Sequence, residues 1–331
     1  MMSINIKEYK CFKNFELDKI SQINIITGGN NVGKTALLEA IFIGDKRYKT
    51  DDNYDIVLNS ILQIAKSRDI NESGLEMYLK KFIFASRLYD IRYKKISELN
   101  QREHKKTQIF NQYYSGYLIN VNELPTLTPK IINLIPIKNI DYSGYKEYSN
   151  YINSSKPTNK RIIELYSNIQ TRGIQAIFLK YLQILDKDIV WIEPQLIGDE
   201  LSLMINLTNP EYSVISSELG EGTNRYIEIL ASLLSNSGGV VFIDEIENGI
   251  HHSKLKDIWK AIIEIVKKEN IQLFVTTHDK DTIEALNKAS EEEGFDAITS
   301  IELFKKDGII HPIIMDYKNF SYGINMGEDI R

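Results

Sequence analysis

Residues 23–35 read Ile23-Asn24-Ile25-Ile26-Thr27-Gly28-Gly29-Asn30-Asn31-Val32-Gly33-Lys34-Thr35, a short apolar run that stops on two glycines and closes on Gly-Lys-Thr. The last eight residues match G-x-x-x-x-G-K-[ST]. Glycines let backbone N–H groups curl round a phosphate, and a helix N-terminus behind them adds a favourable dipole. Asn30, Asn31 and Gly33 would line the nucleotide, Lys34 would reach its β- and γ-phosphates, and the Thr35 hydroxyl would ligate Mg²⁺. Such a string arises by chance in about one chain in a hundred of this length. Here its context agrees: INII before it is a buried strand, and ALLEAIF after it is an apolar helix.

Outward from this loop, 331 residues predict two domains, or one large α/β domain with an insertion. Forty Lys+Arg against 45 Asp+Glu leave −5, which excludes a globally basic coat protein but not a local basic surface. The single cysteine, Cys11, excludes a disulfide framework and a Cys-rich zinc site. The chain opens MMSINIKEYK, with no apolar signal core, and no run approaches 18 apolar residues. The reading is a cytoplasmic protein without membrane contact.

Three further motifs follow in order. Val240-Val241-Phe242-Ile243-Asp244-Glu245 is an apolar strand ending in two acids, at the edge where parallel sheets bind ligands. Asp244 would hold Mg²⁺ and Glu245 would polarise the attacking water; taken alone, a solvated strand end looks identical. Thr276-Thr277-His278 ends a second buried run, where His278 can meet a γ-phosphate or simply face water. Leu219-Gly220-Glu221-Gly222-Thr223-Asn224-Arg225 is a glycine turn opening a helix, either an ordinary cap or a second anion nest. Two nests reach one triphosphate when two chains lie head to tail, which predicts an ATP-dependent homodimer or higher homo-oligomer through Gly222 and Thr223. His251-His252 lacks further ligands at metal-like spacing and reads as structural.

Taken together, these motifs resemble the ABC-type ATPase heads of SMC, RecF and OLD-like proteins, over roughly residues 1–46 and 174–331. The resemblance implies an α/β fold: an ABC-type P-loop ATPase head with a mixed, largely parallel sheet and a mainly helical insertion. It implies residues 1–48 as the N-terminal lobe, 49–173 as the insertion, and 174–331 as the C-terminal lobe. Lys10 falls where the family's first lobe carries a basic residue facing the nucleotide. The signature departs from the transporter type, since Gly220 replaces its serine. Gln63, Gln101, Gln108 and Gln112 are the candidates for the family's glutamine loop. The likeness extends to stand-alone OLD-like ATPases of bacterial anti-phage systems, such as the PARIS and Septu types, in which a neighbouring gene supplies the effector.

Missing parts steer the functional expectation. Asp279 and Asp281 open a helix, where acids suit the dipole, and are not read as a nuclease centre. No heptad run provides coiled-coil arms. The expectation is a slow ATPase acting as a nucleotide-gated sensor or scaffold for a separate effector protein. The alternative is an SMC/RecF-like ATPase that acts on DNA; a transporter motor is disfavoured. Between Lys80 and Lys106, nine basic residues (Lys80, Lys81, Arg87, Arg92, Lys94, Lys95, Arg102, Lys105, Lys106) face three acids (Asp90, Glu98, Glu103), giving +6. That stretch is either a solvated helix face or a docking surface for DNA or an acidic partner.

Overall fold

The computed structural model describes residues 3–44, 64, 112–114, 117–122, 131–136, 149–209 and 212–327. It forms two compact units. One comprises Met1–Asn5, Phe15–Leu38 and Tyr148–Arg331, and the other Ile6–Asn14 and Glu39–Glu147.

A two-stranded sheet pairs β1 (Ser3–Tyr9) with β2 (Phe12–Asp18), and β3 (Ile23–Gly28) leads into α1 (Lys34–Gly44). Next come β4 (Gln112–Tyr114), β5 (Tyr117–Asn122), β6 (Ile131–Pro136) and β7 (Ser149–Ile152). Helices α2 (Asn159–Thr171) and α3 (Gln175–Leu182) precede β8 (Ile189–Ile197), β9 (Glu200–Leu207) and β10 (Val214–Ile215). Then follow α4 (Glu221–Ser235), β11 (Val240–Ile243), α5 (His252–Glu269), β12 (Gln272–Thr276) and α6 (Lys280–Glu293). The hairpin β13 (Ile298–Lys306) and β14 (Ile309–Asp316) and helix α7 (Tyr317–Asn325) end the described chain.

The main sheet has the order β14-β13-β3-β12-β11-β7 and is parallel except for the β13–β14 pair. It is the mixed, mostly parallel α/β sheet that the resemblance implied. Every residue of β3 and β11 is buried, because helices cover a sheet that must hide both faces. The core joins Ile23, Ile25, Val241, Ile243, Leu273 and Val275 on the strands to Trp259, Ile262 and Leu286 on α5 and α6. Asp307 and Gly308 both have positive φ, which gives the β13–β14 turn the I′ geometry that Asp-Gly favours. Among the described residues, no helix is long and apolar enough to cross a membrane.

The helical reading of residues 49–173 included no strands, and the described stretches hold both helix and sheet. Within it, β4, β5 and β6 form an antiparallel sheet in the order β4-β5-β6. Strand β7, also in this span, pairs in parallel with β11 and belongs to the main sheet, so the main-sheet unit includes residues before 174. Four residues are too few to show a period, and β7 becomes a strand only because β11 offers it a ladder. The basic residues from Lys80 to Lys106, together with Gln63, Gln101 and Gln108, lie outside the described residues.

Candidate nucleotide-binding site

Parallel β3, β12 and β11 end at one edge of the sheet, with β12 in the middle. That order brings three separate sequence segments together: the glycine loop after β3, Asp244-Glu245 after β11, and Thr276 to His278 after β12.

The loop has the left-handed backbone that its sequence requires. Gly28 (φ 131°), Asn31 (φ 61°) and Gly33 (φ 96°) carry positive φ, and a Cβ at Gly28 would overlap the Leu303 carbonyl oxygen of β13. Asn30 and Asn31 are exposed. Lys34 Nζ donates to the carbonyls of Gly28 (2.8 Å) and Gly29 (2.9 Å), and only 9% of the residue is exposed. Burial pulls its pKa below the usual lysine value, while Glu245, Asp244 and Glu247 push it back up.

Thr35 Oγ1 lies 3.0 and 3.1 Å from the two carboxylate oxygens of buried Asp244. The Thr276 hydroxyl donates to Asp244 Oδ1 at 2.7 Å and accepts the Glu245 N–H at 2.8 Å. Sequence reasoning missed Thr276 as a member of the site. A threonine ending a buried strand carries no local signal, and its bridging role comes from β12 lying between β3 and β11.

Glu245 has φ 50°, an unusual state for a residue with a Cβ. Asn248 Nδ2 holds its Oε2 at 2.9 Å and also donates to the Ser154 carbonyl at 2.9 Å. Arg225, 1% exposed, braces the same turn: it donates to the carbonyls of Asp244 (2.6 Å) and Asn153, and it pairs with Glu228 at 3.5 Å. Glu247 accepts the His278 N–H at 3.1 Å and lies 3.2 Å from His278 Nδ1. Glu247, Asn248 and Arg225 had been given no individual role. The third acid in DEIENG is the only trace of Glu247 in the sequence, and an exposed loop acid looks the same.

The first turn of α4 packs on this loop in the same chain. A Cβ at Gly222 would overlap the Gly249 carbonyl oxygen, so glycine is required there for close backbone approach. This own-chain reason was not anticipated when Gly222 and Thr223 were read as contacts to a second chain's nucleotide. Gly222→Ala should destabilise the fold by about 3 kcal/mol, because backbone on both sides must shift. Gly220→Ala, with open space around it, should cost far less. Comparing urea midpoints of the two variants checks this, and equal midpoints would refute the contact.

Lys10 forms an ion pair with Glu39 of α1, whose carboxylate also accepts from the Tyr9 hydroxyl at 3.2 Å. Asp279 caps α6 by accepting from the N–H groups of Asp281 and Thr282, as the helix-start reading of that D-x-D expected. Among the described residues, no group of three or more His, Cys, Asp or Glu side chains is arranged to hold a metal by itself. Thr35 and Asp244 are hard oxygen donors, and Mg²⁺ characteristically takes one or two such protein ligands, completing its shell with water and phosphate oxygens.

A family profile described as "AAA domain, putative AbiEii toxin, Type IV TA system" matches residues 23–283. A Helicobacter pylori protein named ATP/GTP phosphatase is 26% identical, over 93% of each chain. Among solved structures, the chain is similar to an Smc head domain with an extended coiled coil bound to the C-terminal domain of ScpA, from Pyrococcus furiosus (12% identity, 98% of each chain, TM-score 0.46). It is also similar to CbiO1 of Clostridium perfringens, part of the ABC transporter complex CbiONQ (11% identity, 98% of this chain and 92% of that one, TM-score 0.45). With the profile running from the strand before the phosphate loop to the helix after His278, the chain belongs to this family of AAA domains.

Proposed function

We propose that this chain binds ATP with Mg²⁺, hydrolyses it slowly, and uses the bound state to gate a separate effector in cytoplasmic anti-phage defence. The observation that carries the ATPase reading is the Thr35–Asp244 contact, a hydroxyl and a carboxylate brought together from positions 209 residues apart, beside the Lys34 ammonium. The similarity to the Helicobacter pylori ATP/GTP phosphatase supports phosphate hydrolysis. The toxin in the family description supports a defence or growth-control setting.

Within this reading, Lys34 and the loop N–H groups bind the triphosphate, while Thr35 and Asp244 hold Mg²⁺. The ion supplies charge that neutralises the phosphate oxygens when bound. Glu245, kept in place by Asn248, accepts a proton from the attacking water, and His278 faces the terminal phosphate. Residues 1–48 supply the first lobe of this ATPase head, and the second lobe includes β7.

Nucleotide gating acts through a homodimer in which Gly222 and Thr223 meet the phosphate held by the other chain. ATP that binds the dimer but not the monomer then drives association by mass action. Light scattering of the Glu245→Gln protein should show monomer without nucleotide and dimer with ATP. One oligomeric state under both conditions would refute the gating. The DNA-acting alternative is tested by steady-state turnover with and without duplex DNA, where strong stimulation favours it.

A further inference from the structure

We infer that Glu247 is a positioning residue for His278: it places the ring proton on Nδ1 and leaves Nε2 as the nitrogen available to the terminal phosphate. The inference rests on the reading of His278 as the phosphate-facing residue, but its geometric part stands without it.

One carboxylate oxygen, Glu247 Oε1, receives the His278 backbone N–H at 3.1 Å and faces His278 Nδ1 at 3.2 Å. An ionised carboxylate only accepts hydrogen bonds, so its place beside Nδ1 favours the tautomer with the ring proton on Nδ1. With the main chain bonded to that oxygen and Nδ1 beside it, Nε2 on the other side of the ring is left unengaged by Glu247. The asymmetry of exposure fits this arrangement: the Glu247 side chain is 11% exposed and that of His278 51%. Burial raises the Glu247 pKa, whereas the backbone N–H groups, the Thr277 hydroxyl and His278 favour the ionised form.

The clamp also links the two ends of the proposed reaction. Glu247 lies in the turn that begins at Glu245 with φ 50°, and Asn248 of the same turn holds the Glu245 carboxylate. A single turn of chain thus sets both the proton acceptor and the phosphate-facing histidine. Metal-site histidines are oriented in the same manner by carboxylates that never touch the ligand.

The test uses the full chain labelled with ¹⁵N-histidine, whose five histidines are few enough to assign with His278→Asn. At a pH where the ring is neutral, long-range ¹H–¹⁵N spectra should show His278 protonated at Nδ1. Glu247→Ala should move that proton to Nε2, while Glu247→Gln, which keeps a carbonyl acceptor, should largely preserve the Nδ1–H form. Single-turnover hydrolysis should fall about 10- to 100-fold in Glu247→Ala, with nucleotide affinity within about twofold. The Glu247→Ala, His278→Ala double variant should be no slower than His278→Ala alone. An unchanged tautomer in Glu247→Ala, or additive losses in the double variant, would overturn the assignment. If wild type hydrolyses nothing, the ATPase reading fails, and the tautomer alone still decides the role of Glu247.

Discussion

Replacing Lys34 with alanine should weaken ATP binding by about 100-fold or more, the typical consequence of removing one partner from a buried, hydrogen-bonded charge contact. Lys34 is the only cation between Gly28 and Thr35, so no neighbouring side chain in the loop replaces it. Its ammonium donates to the Gly28 and Gly29 carbonyls, at the mouth of the cradle the triphosphate would occupy. The three carboxylates that raise its pKa, Glu245, Asp244 and Glu247, would face the incoming phosphates without a compensating charge. Calorimetric titration with ATP and Mg²⁺ provides the measurement. A dissociation constant within about threefold of wild type would contradict the role, since it leaves far less than the energy of one charged contact.

Glu245→Gln should leave ATP binding nearly intact and reduce hydrolysis by about 100- to 10,000-fold, the range for loss of a positioned general base. The amide matches the carboxylate in size, and its oxygen can still accept from Asn248 Nδ2, which now holds Glu245 Oε2 at 2.9 Å. Backbone geometry at this position is set elsewhere, by the Thr276 hydroxyl on its N–H and by Arg225 on the Asp244 carbonyl. What the substitution removes is the capacity to take a proton from water. Rapid-quench measurement of a single turnover separates this step from product release. Normal turnover by the variant would sink the proposed part for this carboxylate.

Much of the head was legible before any coordinates. Val240 to Ile243 read as a fully buried strand because four consecutive apolar residues ending in acids fit nothing else so well, and the strand lies inside the sheet. In helix α5 the apolar residues Leu255, Ile258, Trp259, Ile262 and Val266 fall on one helical face in the sequence, and all of them are buried in the core. Ile177 on α3 behaves differently: it lies at helical spacing from buried Tyr181 and beside buried Phe178, yet is 48% exposed. An eight-residue helix turns only about twice, so periodicity alone cannot set the width of its buried stripe. The insertion was the weakest reading, because Tyr- and Asn-rich segments such as those holding β5 and β6 show little alternation. Their pairing with one another, and not any local pattern, makes them strands.

The sequence by itself determined the phosphate loop, the acids at the end of β11, the histidine after β12 and the α/β class. Each depends on residues close together in the chain, where glycine conformational freedom, helix dipole and hydrophobic period act locally. Tertiary structure alone decided the rest. Thr276 joins the site because β12 lies between β3 and β11. Glu247 reaches His278 across 31 residues of chain, and Arg225 ties α4 to the Asp244 carbonyl. Gly222, in the first turn of α4, meets Gly249 of the loop after β11, and β7 completes the sheet beside β11. Hydrogen bonds and close backbone contacts such as these depend on distance in space, and only packing of the whole sheet and its helices sets that distance.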